Sequence, residues 1–492
     1  MATYEGAIPS ERIGAGSLPA WQVMDLPAPP KYTFKNVMAV IGPGAILLGV
    51  SIGSGEWLMG PASATNYGPA ILWITTVSVV LQVLLNMEMI RYTLYTGEPI
   101  YTGFMRTKPG PTFWGWVYSI LGWLQIGWPG WAATAATAIA AFALGRLPGD
   151  ADRGTVLLWG YITFAVVIVL LFLGRKVERT LELAEWFMVA WIFLFLLFVD
   201  IFLVSPSTWG RTILGLFQFG TIPPGADWLL LGGFAAYSGA GGVINGFVTN
   251  WFRDKGFGMG STVGYIPGAV GGQKTELMPT GNVFKPTPKN MENWKAWYKF
   301  VDADQYWLWA GGALLGMLLC VTLTVNYVPQ GTKLSGMAIA AYQADGMAKV
   351  AGQIFWPLTL LNGFWILFST QLGNSEGFVR MITDISWTGS ARVRKWAAGD
   401  VRKVYYTLLL IFAVWGCIAL NLVQPFMLIL LGSNMAGLCF VFLSIHTIYV
   451  NRKFLPPEVR PSLWREISLV LCALFFGFFV VALALSWFGI KF

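Results

Sequence analysis

The sequence predicts an all-α polytopic membrane protein with about eleven transmembrane helices. Three observations carry that expectation. First, 56% of the 492 residues are hydrophobic and only 11% are charged, against the roughly 25% charge of an ordinary soluble chain. Second, the apolar residues come in unbroken blocks, each matching the roughly 20 residues that a helix needs to cross a bilayer core. Third, Lys and Arg are dense and sparse by turns in the segments between blocks. The 25 Trp and 57 Gly also suit interfacial anchoring and close helix approach. Only helices and closed barrels satisfy their backbone groups in lipid, and these runs are too long and too uniformly apolar for barrel strands.

An N-terminal arm, residues 1–36, comes first. It carries Glu5, Glu11, Arg12 and Asp25 ahead of any apolar run, a pattern unlike a cleavable signal peptide. The candidate spans follow at about 37–66, 69–92, 113–144, 154–174, 183–204, 226–252, 303–328, 354–380, 403–422, 425–450 and 464–490. They group as a five-helix block over 37–204, a second over 226–450, and an additional helix at 464–490. The longest connection, about 253–302, is rich in Gly, Pro and Lys and shows no core of its own. With the N-terminus inside, 26 Lys/Arg fall on the cytoplasmic side and 6 on the other. That bias places the C-terminus outside. A multi-pass protein of the plasma or inner membrane follows, with lipid as its surroundings.

The net charge of +8 does not mark a nucleic-acid binder, because the basic residues sit between apolar blocks rather than among exposed aromatics. Cys320, Cys417, Cys439 and Cys472 all fall inside apolar blocks without C-x-x-C spacing, as buried small residues do. With one histidine, no H-E-x-x-H, no G-x-S-x-G and no paired cysteines, the spans offer little for an enzyme active site. No cofactor is implied, and the absence of a G-x-x-x-x-G-K-[ST] loop argues against direct ATP drive.

Two spans are poor helices in their middles. The first contains Gly42-Pro43-Gly44 and then Ser51-Ile52-Gly53-Ser54-Gly55-Glu56-Trp57. The sixth contains Gly232-Gly233 and then Tyr237-Ser238-Gly239-Ala240-Gly241-Gly242. Glycine costs about 1 kcal/mol per residue in a helix interior relative to alanine, so these clusters favour local unwinding. Close helix packing explains either cluster alone. Their placement five spans apart, each opening a block of five, is the pattern of interrupted helices around a transporter site. An odd repeat inverts the second block relative to the first, an arrangement suited to alternating access.

Short motifs then suggest a family. Gly42-Pro43-Gly44 resembles the opening of helix 1 in the Nramp family of divalent-metal transporters. Arg91-Tyr92-Thr93-Leu94-Tyr95-Thr96-Gly97 resembles the end of its helix 2, and Gly174-Arg175-Lys176-Val177-Glu178 the start of its helix 5. Ser369-Thr370-x-x-Gly373-x-x-x-Gly377 is similar to its helix 8. The resemblance runs from about residue 36 to 450 and implies a LeuT-like fold with discontinuous helices 1 and 6. It also implies proton-driven transport of Mn²⁺ or Fe²⁺. The departures fall on the ligands. The family's D-P-G-N aligns with Gly53-Ser54-Gly55-Glu56, and its M-P-H falls near Ser238-Gly239-Ala240. The acidic pair of helix 3 is absent from Trp128–Ala141, and the helix-10 Gln becomes Val423, with Gln424 next to it. Losing the thioether while keeping a carboxylate moves preference toward a harder ion such as Mg²⁺, or removes metal binding.

An ionisable residue inside a span costs at least about 2.5 kcal/mol and so points to a role. Glu56 is the expected metal ligand, with Gly53, Ser54, Tyr237, Ser238, Gly239 and Asn245 around it; its alternative role is to cap freed peptide N–H groups. Ser369, Thr370, Asn374 and Glu376 form the expected coupling or second cation site, with an Arg380 ion pair as the competing reading of Glu376. Glu88 is expected to pair with Arg91, and Asp227 to stabilise the start of span 6. Glu178, Glu182 and Glu185 mark the cytoplasmic start of span 5, Asp200 its outer end, and His446 a packed interfacial position. The functional expectation is secondary transport of Mn²⁺, Fe²⁺ or Mg²⁺. The alternatives are symport of a small organic solute such as an amino acid, and a transport-inactive transporter-like subunit.

Overall fold

The computed structural model describes residues 16–272, 276–332, 339–421 and 425–490, and it is built of helices throughout the membrane region. Among the described residues seven helices are long and apolar enough to cross a membrane, and an eighth span is a bent pair, Phe34–Val40 with Pro43–Tyr67. The three remaining spans are the ones that local chemistry interrupts or charges. Span 3 is split into Pro111–Ile126 and Gly130–Leu144, and span 6 into Trp228–Tyr237 and Val243–Lys255. Span 8 is one helix, Phe355–Gly389, carrying Glu376, Arg380 and Asp384.

The break in span 3 is not foreseen by the apolar pattern, which reads 113–144 as one run. Pro129 lacks the N–H that would continue the ladder. The freed Gly127 carbonyl accepts from the Trp415 indole at 2.6 Å, and the Ala132 N–H, at the start of the second half, donates to Gln371 at 3.1 Å. Span 1 corrects the expectation in a different way. Its chain bends by 60° at Ile41–Gly42 and then stays helical to Tyr67. Over Ile52–Met59 it widens into a π-helix rather than uncoiling. The glycines relax the pitch, and the ladder survives by shifting register; such π stretches are frequent at functional positions.

Span 7 is also longer than its apolar run. The helix Pro288–Asp302 continues without interruption through a π stretch, Ala303–Ala310, into Gly311–Tyr327. The segment read as a coreless connection therefore holds a helix with buried Trp294, Trp297 and Phe300. These pack under the N-terminal arm, where Trp297 and Asn293 donate to the carbonyls of Pro27 and Leu26. The arm also pairs in parallel with the chain beyond span 6, through β1 (Gln22–Val23) and β2 (Asn282–Val283).

A buried ion pair fastens this layer to span 2. Glu98 accepts from Arg106 Nε at 2.8 Å, Trp21 Nε1 at 2.9 Å, Gly281 N at 2.8 Å and Tyr92 Oη at 2.6 Å. Burial alone would push its carboxyl up, but the Arg106 charge and these donors hold it below the usual carboxylate range. The pair's contribution is thus complete above the unfolded value of about 4.3 and is lost as pH falls through the lower folded value. Glu98→Gln should cost about 3–5 kcal/mol, the range for breaking a buried pair. Its deficit in melting temperature, measured in detergent, should be constant near neutral pH and shrink only below the ordinary carboxylate range.

Candidate functional site

The site forms where the π stretch of span 1 meets the break in span 6. Helix Trp228–Tyr237 begins on Asp227, whose side chain accepts from Leu229 N, and it ends where Ser238 turns extended. Gly239 and Gly241 then take φ of +105° and +99°, a region that costs an L side chain dearly. The two halves are thus joined by five residues outside any ladder, with every one of them buried.

In a dry interior each freed peptide group needs a partner. Glu56 Oε1 accepts from Gly239 N at 3.2 Å. Gln82, from span 2, accepts from Ala240 N at 3.0 Å and Gly241 N at 3.3 Å, and its amide donates to Ser238 O at 2.7 Å. Gln125, from span 3, accepts from Val243 N at 3.0 Å and donates to Gly241 O at 2.8 Å. Two glutamines and one carboxylate therefore replace the missing helical hydrogen bonds.

Span 1 approaches this segment with glycine because nothing larger fits. A Cβ on Gly55 would overlap the Tyr237 carbonyl, and one on Gly53 would overlap Thr370 Oγ1. Ser54 Oγ accepts from Trp131 Nε1 at 2.7 Å, and Ser51 Oγ from Trp309 Nε1 at 3.0 Å. Indoles from spans 3 and 7 thus grip Ser54 within the π stretch and Ser51 at its leading edge. Ser238 Oγ bonds to Phe234 O and to Thr75 Oγ1. What is left over is small. Glu56 is fully buried, and its Oε2 has no hydrogen-bond partner; neither has Asn245 Oδ1.

Asn245 starts an amide chain that runs toward the bend in span 1. Its Nδ2 donates to Asn86 at 2.9 Å, Asn86 donates to Gln305 at 3.0 Å, and Gln305 donates to Asp304 at 2.8 Å. Asp304 in turn accepts from Gly42 N at 2.9 Å, capping span 1 at its bend. The break in span 6 and the bend in span 1 are therefore ends of one polar thread.

Of the residues expected from sequence, Glu56, Gly53, Ser54, Tyr237, Ser238, Gly239 and Asn245 are brought together here. The second group divides. Ser369 and Thr370 donate to the Gly49 carbonyl at 3.0 and 3.2 Å, and Thr370 also to Val50 O. They tie span 8 to span 1. Glu376 is elsewhere, paired with Arg380 and accepting from Trp251 Nε1 at 2.8 Å. Arg380 also bridges to Asp254, which holds Arg253, which holds Asp384. Glu376 thus belongs to a charge cluster between spans 6 and 8. Asn374 is buried with neither amide atom hydrogen-bonded. Val423 and Gln424 lie outside the described residues.

Glu88 pairs with Arg91 at 2.6 Å and with Arg465 at 2.9 Å. His446 is packed, bonded to Thr107 and Tyr118 at 2.9 Å each and stacked on Phe104. Gln82, Gln125, Asn86 and Asp304 were missed. For Gln82, Gln125 and Asn86 the usable signal was a polar amide inside an apolar run; for Asp304 it was a carboxylate at the start of the seventh apolar run. Among the described residues no three His, Cys, Asp or Glu side chains group as a metal cluster.

No protein-family model and no curated protein sequence matches the chain. Solved structures do. A crystal structure of a variant of the Eremococcus coleocola manganese transporter aligns with a TM-score of 0.64 at 15% identity, over 94% of this chain and 89% of that one. The same transporter in complex with an aromatic bis-isothiourea substituted compound aligns at 0.61 and 15% identity, over 95% and 90%. The chain has that transporter's fold. This is the all-α, multi-pass architecture that the family resemblance implied.

Gln82→Leu should orphan two buried N–H groups, those of Ala240 and Gly241, and Gln125→Leu one, that of Val243, while Ser238 O keeps Ser78 Oγ and Gly241 O keeps Ile244 N. At about 1–3 kcal/mol per orphaned group, both should melt well below wild type, with Gln82→Leu the lower. Thermal unfolding in detergent gives the order; an unchanged melting temperature would show that these amides do not hold the break.

Proposed function

We propose that the chain is a secondary active transporter that carries a divalent metal cation, Mn²⁺, Fe²⁺ or Mg²⁺, by alternating access and coupled to proton movement in the same direction. It does so in the plasma or inner membrane, with its N-terminus cytoplasmic and its C-terminus outside. One observation carries the reading: the Glu56 carboxylate is buried at the meeting point of the two irregular helices with one oxygen unpartnered. A buried charge with half its hydrogen-bonding capacity unused is costly, and a cation or a proton relieves it. The shared fold with a manganese transporter supports the same reading.

The geometry also bears on the cargo. One carboxylate, the Asn245 amide oxygen and nearby peptide carbonyls are hard oxygen donors, and Ser238-Gly239-Ala240 stands near where the family motif would supply a thioether and a histidine. Such a set suits an ion that keeps several waters and needs only one or two carboxylates, which describes Mg²⁺ best and Mn²⁺ next. A substrate carboxylate fits less well. The peptide N–H groups that would receive it are already held by Glu56, Gln82 and Gln125, and the Glu56 charge would repel it.

Purified protein in liposomes should take up Mn²⁺ or Mg²⁺, and Glu56→Gln should reduce that uptake to the protein-free baseline. The glutamine keeps an acceptor for Gly239 N, so its melting temperature should match wild type. Wild-type uptake by the variant removes Glu56 from the site. Accumulation of a labelled amino-acid mixture with neither ion moved overturns the cargo.

A further inference from the structure

We propose that Glu185 is the group that carries the coupling proton. It holds a proton while the cytoplasmic half of span 1 is docked against it, and gives the proton up when that half swings away. The coupling role rests on the transport reading above; the proton itself rests on the local geometry.

Glu185 lies in the helix Val177–Leu203, eight residues from its start, which is about 12 Å along the axis. It is fully buried, and neither carboxylate oxygen has a hydrogen-bond partner. Its neighbours are glycine backbones. A Cβ on Gly49 of span 1 would overlap Oε2, and one on Gly373 of span 8 would lie 3.5 Å from Oε1. The carboxyl is therefore wedged between spans 1 and 8 at the only kind of residue that leaves it room. The nearby hydroxyls of Ser369 and Thr370 are spent on the Gly49 and Val50 carbonyls.

The charged groups of the packed elements are mostly occupied elsewhere. On its own helix, Glu182 pairs with Arg179 and with Lys255 of span 6, and Glu178, two turns from Glu185, is a second buried acid whose Oε1 has no hydrogen-bond partner among the described residues. On span 1, Glu56 bonds to Gly239. On span 6, Arg253 and Asp254 join Asp384 and Arg380 of span 8, and Arg380 also holds Glu376. On span 7, Asp304 bonds to Gly42 and Gln305. An isolated carboxylate in such a place takes up a proton rather than remain charged.

The same contact supplies the trigger. Residues Pro43–Ser51 are all buried and lie between the 60° bend and the π stretch, so they form a rigid piece with compliant ends. Gly49 is on that piece. Swinging it outward strips the lid from Glu185, admits water, and lets the acid ionise toward the cytoplasm. Glu56 is seven residues further along span 1, about 10 Å, so a proton entering from the outer side passes the cargo site first. Each cycle binds one proton from outside and releases it inside, with no other bond made or broken.

Glu185→Gln mimics the neutral acid, so it should fold and still move Mn²⁺ or Mg²⁺ down a gradient. In liposomes with a trapped pH dye, the acidification that accompanies wild-type uptake should vanish, and an inward proton gradient should no longer speed uptake. Glu185→Asp should restore part of that pH response. Infrared difference spectra of the purified proteins at neutral pH should show a neutral carboxylic acid C=O band lost in Glu185→Gln. Coupled proton flux in the glutamine variant, or no lost band, overturns the proposal. If wild type moves neither ion, the transport reading falls and the coupling role with it, while the infrared band still decides whether Glu185 holds a proton.

Discussion

The structure depends on how five peptide units at mid-membrane find hydrogen-bond partners without water. Each unsatisfied backbone group there costs several kcal/mol, so the gap in span 6 exists only because Glu56, Gln82 and Gln125 reach it from spans 1, 2 and 3. That requirement fixes the depth of three helices relative to a fourth. It also explains why the contacts between spans 1 and 6 are made of glycine: the donors and acceptors have short reach, and Gly55 lets the Tyr237 carbonyl come close.

The same demand couples distant points. The amide chain from Asn245 through Asn86 and Gln305 to Asp304 ends on the first N–H groups of span 1, just past its bend. Moving the Pro43–Ser51 piece of span 1 therefore perturbs bonds that lead back to the break. The Lys255–Glu182 pair lies against Gly42 at the same corner, and that close packing admits no side chain there. Charge pairing at the bend and mid-membrane geometry are in this sense one mechanical unit.

Much of this was legible in the sequence. Span count, order and the location of both irregular helices follow from apolar block length, Lys/Arg bias and glycine clustering, because lipid imposes those patterns directly. Glu56 stood out because a carboxylate in a glycine-rich apolar run has no cheap explanation. The chain was harder to read where tertiary partners decide. Glycines 53 and 55 signal loosened helix, but whether they unwind or widen into a π stretch depends on indole donors from spans 3 and 7. Gln82 and Gln125 were overlooked, since an amide's worth is set by what it meets. Glu185 looked like one of three acids at a helix start, yet Glu182 is paired and Glu185 is not.

The helix Pro288–Tyr327 has 40 residues, or about 60 Å of rod, twice the thickness of the hydrocarbon layer. Its lower third is clamped to the arm through Asn290, Asn293 and Trp297, and its upper part packs on span 1, Gly312 against Leu48 and Gly316 against Ile52 at the start of the π stretch. One continuous helix thereby joins the N-terminal arm to the wall of the site, so a load on the arm is delivered to span 1 without crossing a loop.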